Sequence, residues 1–471
     1  MSEQTAFSGV LLRRFFKLFG DVKLHGAPVA KYLYYPFWYY ASNRWPLPWA
    51  KEHLPGLRDQ IANFNWAEVY RWADEPYPYD PHPEGVVLMR AGFGDIASLY
   101  LPKERFMLLS PNQAEVDLIH RNRPDLTAHN IEKFYREDPA AVNLLNQQIS
   151  SIINNQKDDP LMGSADLQQW FGSKIPEVVR VFGAFHELFT TYNVSAALSI
   201  SSIVWMDSAL NLIARANRVA SLTLQHGLIL ERDLFCHIPI IATQKVVWGS
   251  AVVDWYQKHG YPPSRMIATG SPRFDAIFKR KWCTKQELCQ KLTIDPAKKI
   301  IVYATGTEMN TIVPIIVNGL KTIPDVYLVM LLHPSESRLV PQYQQLAAGY
   351  ENCQVLPYGS VSLYDALSGG DYFITHTSTA GLEAMLFQVP VITVEPEPAC
   401  FSYGDLKASL RATNAAALNR IVKRLLTDAN FATKAVKRYQ NFLAAYCVPD
   451  ALASKRLFDR LDQLCATGGI A

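Results

Sequence analysis

The chain has 471 residues, 49% of them hydrophobic, and 46 Lys and Arg stand against 43 Asp and Glu for a net charge of +3. That length predicts two or three domains, the balanced charge excludes a nucleic-acid-binding surface, and the lack of any run of roughly 18 apolar residues excludes a membrane-spanning helix. The seven cysteines, without a C-x-x-C pair, read as reduced thiols with no zinc site, and the N-terminus lacks the order of a signal peptide, so the expected place is the cytoplasm or the inner face of its membrane.

Residues 1–84 form an extension unlike the remainder. An apolar-basic segment runs from Phe7 to Phe19 with Arg13, Arg14 and Lys17, and an aromatic stretch runs from Tyr32 to Trp49. Basic residues outnumber acidic ones by eight to four in the first 60 positions. Two readings stay open. A basic amphipathic helix with aromatics beside it suits a membrane interface through residues 7–49; alternatively a hydrophobic arm packs on the domain or on a partner subunit.

From Gly85 the pattern alternates between β and α. Strands are expected at 86–90, 105–109, 196–201, 221–224, 246–249 and 266–270, with a helix over 206–217 and another ending near Gly260-Tyr261-Pro262-Pro263. Residues 129–192 read as mostly polar-helical, an insertion plus one long helix. A charged segment, Lys279 to Lys298, reads as a connector. A second series follows, with strands at 300–305, 327–332, 353–357, 372–375 and 389–394 and helices over about 310–321, 361–368, 379–388 and 414–427. Strands separated by helices of 10–15 residues mean parallel sheets covered on both faces. The expected fold is therefore α/β: two Rossmann-like lobes, 85–282 and 283–430, facing a central cleft. The helical tail from 431 has no strand partner, and residues 431–471 are expected to pack back on the lobes.

The segment from Tyr372 to Glu395 carries most chemistry: strand, hydroxyl cluster (Thr377, Ser378, Thr379), Gly381, helix, strand. Hydroxyls and free N–H groups at a helix N-terminus suit a phosphate, and Glu383, one turn in, suits ribose hydroxyls. An ordinary capped βαβ unit is the plain alternative. Five further strand-end loops share the carboxyl edges where such sheets bind ligands. Gln225-His226-Gly227 offers an imidazole as general base to a hydroxyl, or a histidine satisfied by carbonyls. Gly270-Ser271-Pro272-Arg273-Phe274-Asp275 offers a guanidinium clamp, or an Arg–Asp staple. His333-Pro334 places a donor toward a pyrophosphate, or a structural histidine. Tyr303-Ala304-Thr305-Gly306-Thr307 is small and hydroxyl-rich, and Gly92-Phe93-Gly94-Asp95 is a weaker signal of a tight turn or an acceptor-facing one. No complete G-x-G-x-x-G with a downstream acid and no G-x-x-x-x-G-K-[ST] occurs, which disfavours a nicotinamide enzyme and an ATPase. Nor does a D-x-D with a histidine ligand set, so protein groups are expected to handle leaving-group charge, with no metal and no cofactor.

Taken in order, QHG, GSPRFD, YAT, HP and STAGLEA resemble the two-lobed GT-B glycosyltransferases of bacterial surface-polymer synthesis. The resemblance is to the CDP-glycerol glycerophosphotransferases and to the polysialyltransferase and capsule-polymer transferase group, with UDP-N-acetylglucosamine 2-epimerases as more distant fold relatives. It covers about residues 195–430 and is most specific at His333-Pro334, Ser378-Thr379-Ala380 and Glu383. It implies that the second lobe holds a nucleotide-activated donor. His333, Ser378 and Thr379 would hold phosphate and Glu383 ribose, with Thr305 and Gly306 bordering the pocket and Arg273 reaching in. His226 would be the base. The implied function is an inverting, metal-independent transfer of a sugar from a nucleotide-sugar donor to a surface-polysaccharide or lipid-linked glycan acceptor. Rivals on the same architecture are a glycerol- or ribitol-phosphate transferase and an epimerase-type isomerase; a catalytically silent scaffold or export partner is the fourth reading.

Overall fold

The computed structural model describes residues 2–470 apart from 66–73, 230, 307 and 398–400. Thr307, at the end of the Tyr303–Thr307 loop, and Cys400 lie outside the described residues.

Continuous apolar runs such as KIIVYA and VYLVML suit strands buried on both faces, and the chain uses them so. The first sheet has seven strands: β1 (Val86–Arg90), β2 (Phe106–Ser110), β3 (Ala128–Asn130), β4 (Val194–Ser199), β5 (Ala220–Leu224), β6 (Gln244–Val247) and β7 (Met266–Ala268). The second has six: β8 (Lys299–Ala304), β9 (Val326–Leu331), β10 (Cys353–Leu356), β11 (Tyr372–Thr375), β12 (Val391–Val394) and β13 (Leu410–Ala412). Their orders are β3-β2-β1-β4-β5-β6-β7 and β10-β9-β8-β11-β12-β13, and every neighbouring pair is parallel. In each sheet the order reverses beside its first strand. The β1/β4 and β8/β11 gaps are thus the switch points, where a doubly wound sheet opens a crevice at its carboxyl ends. The expected strands all form, within two residues of their expected bounds. β3 and β13 were not expected, because three residues at a sheet edge are too short to show alternation.

The helices bear on the expectations for three segments. α1 (Glu3–Phe19) and α2 (Val29–Arg44) pack against α3 (Pro139–Asn154) and the 27-residue α4 (Ala165–Thr191). Residues 129–192 are largely helical and include the expected long helix, but they are not mostly polar: Leu145, Ile149 and Ile153 line one face of α3, and Phe171, Ile175, Val178, Phe182 and Phe185 line α4, all buried. Phe15 stacks on Phe37 at 4.1 Å, Phe19 meets Phe171 at 4.7 Å and Tyr32 meets Phe182 edge-on at 5.2 Å. Arg14 pairs with Asp159, and Arg44 with Asp166. Phe7, Val10, Leu11, Phe15 and Phe19 lie inside the first lobe, which is the packed-arm arrangement. Each side chain so removed from water contributes roughly 1.5–3 kcal/mol, so the extension is an integral wall of that lobe. The charged segment 279–298 is likewise more than a connector. Thr284 and Glu287 form a capping box on the helix Lys285–Leu292, and Leu288, Cys289 and Leu292 are buried in the second lobe's core.

α5 (Ser250–Lys258) follows β6, and α6 (Ala380–Leu386) follows β11. The last helix, α7 (Ala453–Thr467), returns to the first lobe, where Leu457, Phe458, Leu461 and Leu464 join Val87, Leu108 and Leu222 in one core. Asp275 anchors its start by accepting from the backbone N–H of Ala453 (3.0 Å) and Ser454 (2.8 Å). Asp275 therefore serves α7, and among the described residues it forms no staple with Arg273. Beyond α7, Gly469–Ile470 pairs antiparallel with Pro78–Tyr79, a strand contact the sequence did not suggest for the tail. No helix of the described residues is long and apolar enough to cross a membrane.

Candidate active site

The second lobe presents four loops at the carboxyl edge of its sheet, around the β8/β11 switch point. After β8, Thr305 is committed internally: its hydroxyl donates to Glu336 Oε2 (2.6 Å) and accepts from the His333 backbone N–H (2.9 Å). Glu336 is buried and also accepts from Tyr343 (3.0 Å). Thr305 thus braces the turn that carries His333. His333 begins the short helix Pro334–Leu339, and its Nδ1 accepts from the Ser335 N–H at 3.3 Å. With Nδ1 turned to the Ser335 N–H and hydroxyl, Nε2 is the ring nitrogen left to donate toward the cleft.

After β11 the hydroxyls are arranged as donors. Ser378 Oγ accepts from the Ala380 N–H (3.2 Å), and Thr379 Oγ1 accepts from the Leu228 N–H across the cleft (3.2 Å). With an acceptor site of each oxygen used, the hydroxyl hydrogens remain for an anion. Tyr403 holds this turn through its bond to the Ser378 carbonyl (2.9 Å), and its ring lies where a Cβ on Gly381 would clash, at 2.9 Å. Glu383 is buried; burial pushes its carboxyl up, while Arg273 and Tyr364 pull it down. Its Oε1 accepts from Tyr364 (2.8 Å) and pairs with Arg273 (2.8 Å).

The first lobe contributes His226 from the loop after β5. Gln225 fixes this loop: its side chain donates to Gly227 O (2.8 Å) and accepts from Trp248 N–H (3.0 Å), and its carbonyl accepts from the Trp248 indole (3.0 Å). The His226 ring opens onto the cleft and stacks on buried His237, centroids 5.2 Å apart. The residue keeps an exposed surface toward the cleft, yet the protein atoms crowded around its ring desolvate it, and this, aided by Lys245 and Arg273, pushes its pKa down to about 4. Burial likewise drives His237 well below its ordinary value. Lys245 is fully buried, without a hydrogen-bond partner among the described residues, and burial pushes it down to about 8.

These elements enclose a cavity of about 620 Å³ lined by His226, Arg273, Thr305, His333, Ser378, Thr379 and Glu383. An adjoining space of about 270 Å³ is lined by Gly306, Thr377 and, again, Thr305, His333, Ser378 and Thr379. All nine residues singled out in the sequence therefore meet in one interlobe cleft. The turn Gly92-Phe93-Gly94-Asp95 lines neither space. Three contributors escaped the sequence reading. His376 lines the smaller space, bonding Val394 O through Nδ1 (2.7 Å) and Glu308 through Nε2 (3.1 Å); it stood in plain view within THTST but was masked by its hydroxyl neighbours. Glu336 left only the weak signal of an acid just after His-Pro. Tyr358, exposed at the mouth of the larger cavity beside Pro357 and Gly359, was signalled by the PYG turn after β10. Among the described residues no group of three or more His, Cys, Asp or Glu could hold a metal ion.

Two Rossmann-like lobes with this crevice between them define the GT-B class of fold. Solved structures agree. A putative UDP-N-acetylglucosamine 2-epimerase from Listeria monocytogenes matches with a TM-score of 0.52 at 14% identity, covering 80% of this chain and 96% of that one. The UDP-GlcNAc 2-epimerase from Neisseria meningitidis bound to UDP-GlcNAc matches with a TM-score of 0.52 at 12% identity, covering 80% and 99%. A glycosyltransferase from Rickettsia africae matches with a TM-score of 0.51 at 12% identity, covering 82% and 100%. No protein-family model matches the chain, and no curated protein matches it.

Proposed function

We propose that the chain is a glycosyltransferase that moves a sugar from a nucleotide-activated donor to a surface-polysaccharide or glycolipid acceptor, with inversion and without a metal. The observation that carries the reading is that a potential base, His226, and the phosphate-type donors of His333, Ser378 and Thr379 belong to opposite lobes yet line one cavity of about 620 Å³. That volume lies within the range of small-ligand pockets. The solved glycosyltransferase and epimerase structures share the fold, and the epimerase from Neisseria meningitidis binds UDP-GlcNAc.

In this reading the donor's nucleotide lies along the second lobe, its base toward Tyr358 and its ribose near Glu383. Neutral His226 accepts the proton of the acceptor hydroxyl as that oxygen attacks the anomeric carbon. The bond from that carbon to the phosphate oxygen breaks on the opposite face, and its electron pair leaves with the nucleotide. The His333 Nε2–H and the Ser378 and Thr379 hydroxyls stabilise the charge on the departing phosphate. The cleft holds both reactants in line and excludes water.

Incubation with UDP, GDP, TDP and CMP sugars and with CDP-glycerol, followed by identification of the nucleotide released, tests the proposal. Release from a sugar donor that depends on a glycan acceptor is the expected result. Release only from CDP-glycerol would transfer the assignment to a glycerophosphotransferase, and interconversion of a sugar nucleotide without acceptor to an isomerase.

A further inference from the structure

Gln225, Leu228 and Ile229, which flank His226 in the chain, also line a third cavity, of about 350 Å³, between α5 and the segment 401–406. Leu228 is shared with the smaller arm of the donor cleft, so the two spaces meet at the same loop. The walls are aromatic on both sides. Trp248 and Trp255 come from the first lobe, and Phe401 and Tyr446 face them from the second lobe and the tail. These rings are held in place: Trp255 packs on Tyr256 (4.9 Å) and His259 (4.1 Å), and Tyr446 stacks on Phe442 (4.4 Å) and lies edge-on to Phe401 (6.1 Å).

The polar rim is sparse and balanced. Gln225 is satisfied within its own loop, and Ser402 donates to Glu395 (2.5 Å). Asp405 gives one carboxylate oxygen to Arg411 (2.7 Å), and the other has no hydrogen-bond partner among the described residues. Lys258 is the one basic side chain among the described lining residues. Such a cavity is a poor match for a nucleotide's phosphates. It suits a ligand with flat apolar faces and a belt of hydroxyls, since rigid rings cover the faces while a few charged groups at the edge take the hydroxyls. A pyranose has that shape, and the opposite charges of Lys258 and Asp405 favour a neutral one.

We infer that this cavity seats the acceptor glycan, holding neutral pyranose units whose growing end passes Leu228 to reach His226. The inference rests on the reading of the His226 cleft as a transfer site, but glycan binding can be measured without transfer. The two lobes share the cavity, so an occupant bridges them beside the loop that carries His226.

The test applies the full chain to a printed array of defined neutral and acidic bacterial oligosaccharides. The best-bound probe is then titrated by tryptophan fluorescence, in parallel with UDP, CMP and CDP. The wild type is expected to bind a neutral probe. Trp255→Ala is expected to weaken it roughly tenfold or more, the effect of losing an aromatic anchor. Trp255→Phe should recover most of that, Lys258→Ala should weaken binding by about threefold, and nucleotide affinity should stay within about twofold throughout. No binding of any probe by the wild type, or unchanged binding in both Trp255→Ala and Phe401→Ala, overturns the inference. Glycan binding that responds to these variants in a protein that binds no nucleotide supports this cavity and removes the donor reading instead.

Discussion

Arg273 and Glu383 stand 2.8 Å apart across the cleft, one from each lobe. Together with the Leu228–Thr379 bond, this pair ties the first lobe's cleft loops to the turn proposed to hold phosphate. A donor bound as proposed would have to share or displace the pair, which would couple its entry to lobe closure at one point.

Replacing Arg273 by Ala leaves the buried Glu383 carboxylate with Tyr364 as its remaining recorded partner. The guanidinium is 46% exposed, so water already screens the pair, and the expected loss of stability is about 1 kcal/mol, not the several of a fully buried pair. Donor affinity is expected to fall roughly tenfold with loss of a charge-assisted contact. Urea unfolding and nucleotide titration read the two effects separately. Unchanged affinity would reduce Arg273 to a staple between lobes.

His226→Ala is expected to lower turnover by about 10²–10⁴-fold, the range for a general base, while nucleotide binding holds. The pH profile carries more information. With its pKa near 4, His226 is neutral over the physiological range, and kcat/KM should stay flat down to about pH 5 and fall as the ring takes a proton below that. Lys245→Met removes one cause of the depression, so the acid limb should move to higher pH. A limb that stays put in that variant would mean another group sets it.

Much of this site could be read in advance because its residues follow strands. A β-branched run ending in a His, a Gly or a hydroxyl cluster fixes both the element and its carboxyl edge, which is why His226, His333 and the 377–379 turn could be singled out by their places at strand ends, while their roles came from the family resemblance. The Phe7–Phe19 segment was ambiguous for a physical reason: a basic, apolar helix has the same pattern whether it covers a membrane or α4. Only tertiary packing settles which apolar surface it meets. Arg273 was readable as a cleft residue, but its partner was not, because the sequence offers nearby Asp275 and conceals Glu383 more than a hundred positions on. Glu336 and Tyr343 were unreadable because their role is to hold Thr305, and such support depends on distances no local pattern encodes.

His333→Ala is expected to weaken donor binding by roughly tenfold, the contribution of one good donor to a charged oxygen. His333→Asn, whose amide can still donate from that turn, should recover part of the loss. Calorimetric titration with the preferred nucleotide distinguishes the two. Equal affinities in wild type and His333→Ala would place the phosphate elsewhere.

Asp74 offers a test of stability away from the cleft. It is buried, and it accepts from the backbone N–H groups of Ile240 (2.6 Å) and Ile241 (2.8 Å) and from the Tyr261 hydroxyl (2.5 Å), with Arg265 at 3.5 Å. Burial alone would raise its pKa, but Arg265 and these hydrogen bonds outweigh that and hold it below the ordinary 3.8. Asp74→Ala strands several buried donors and is expected to cost about 3–5 kcal/mol in urea unfolding. The pH dependence separates it from the histidines. Buried His237 and cleft-facing His226 are both depressed in the folded chain, so the stability they contribute is present above the ordinary 6.5 and drains as pH falls below that value. Asp74, also depressed, favours folding above 3.8, and its share is lost only as pH falls through its lower folded value. The variant should therefore keep the loss of stability that begins near pH 6.5 and lack the further loss below about pH 4. An unchanged acid limb in Asp74→Ala would show that other carboxylates govern that window.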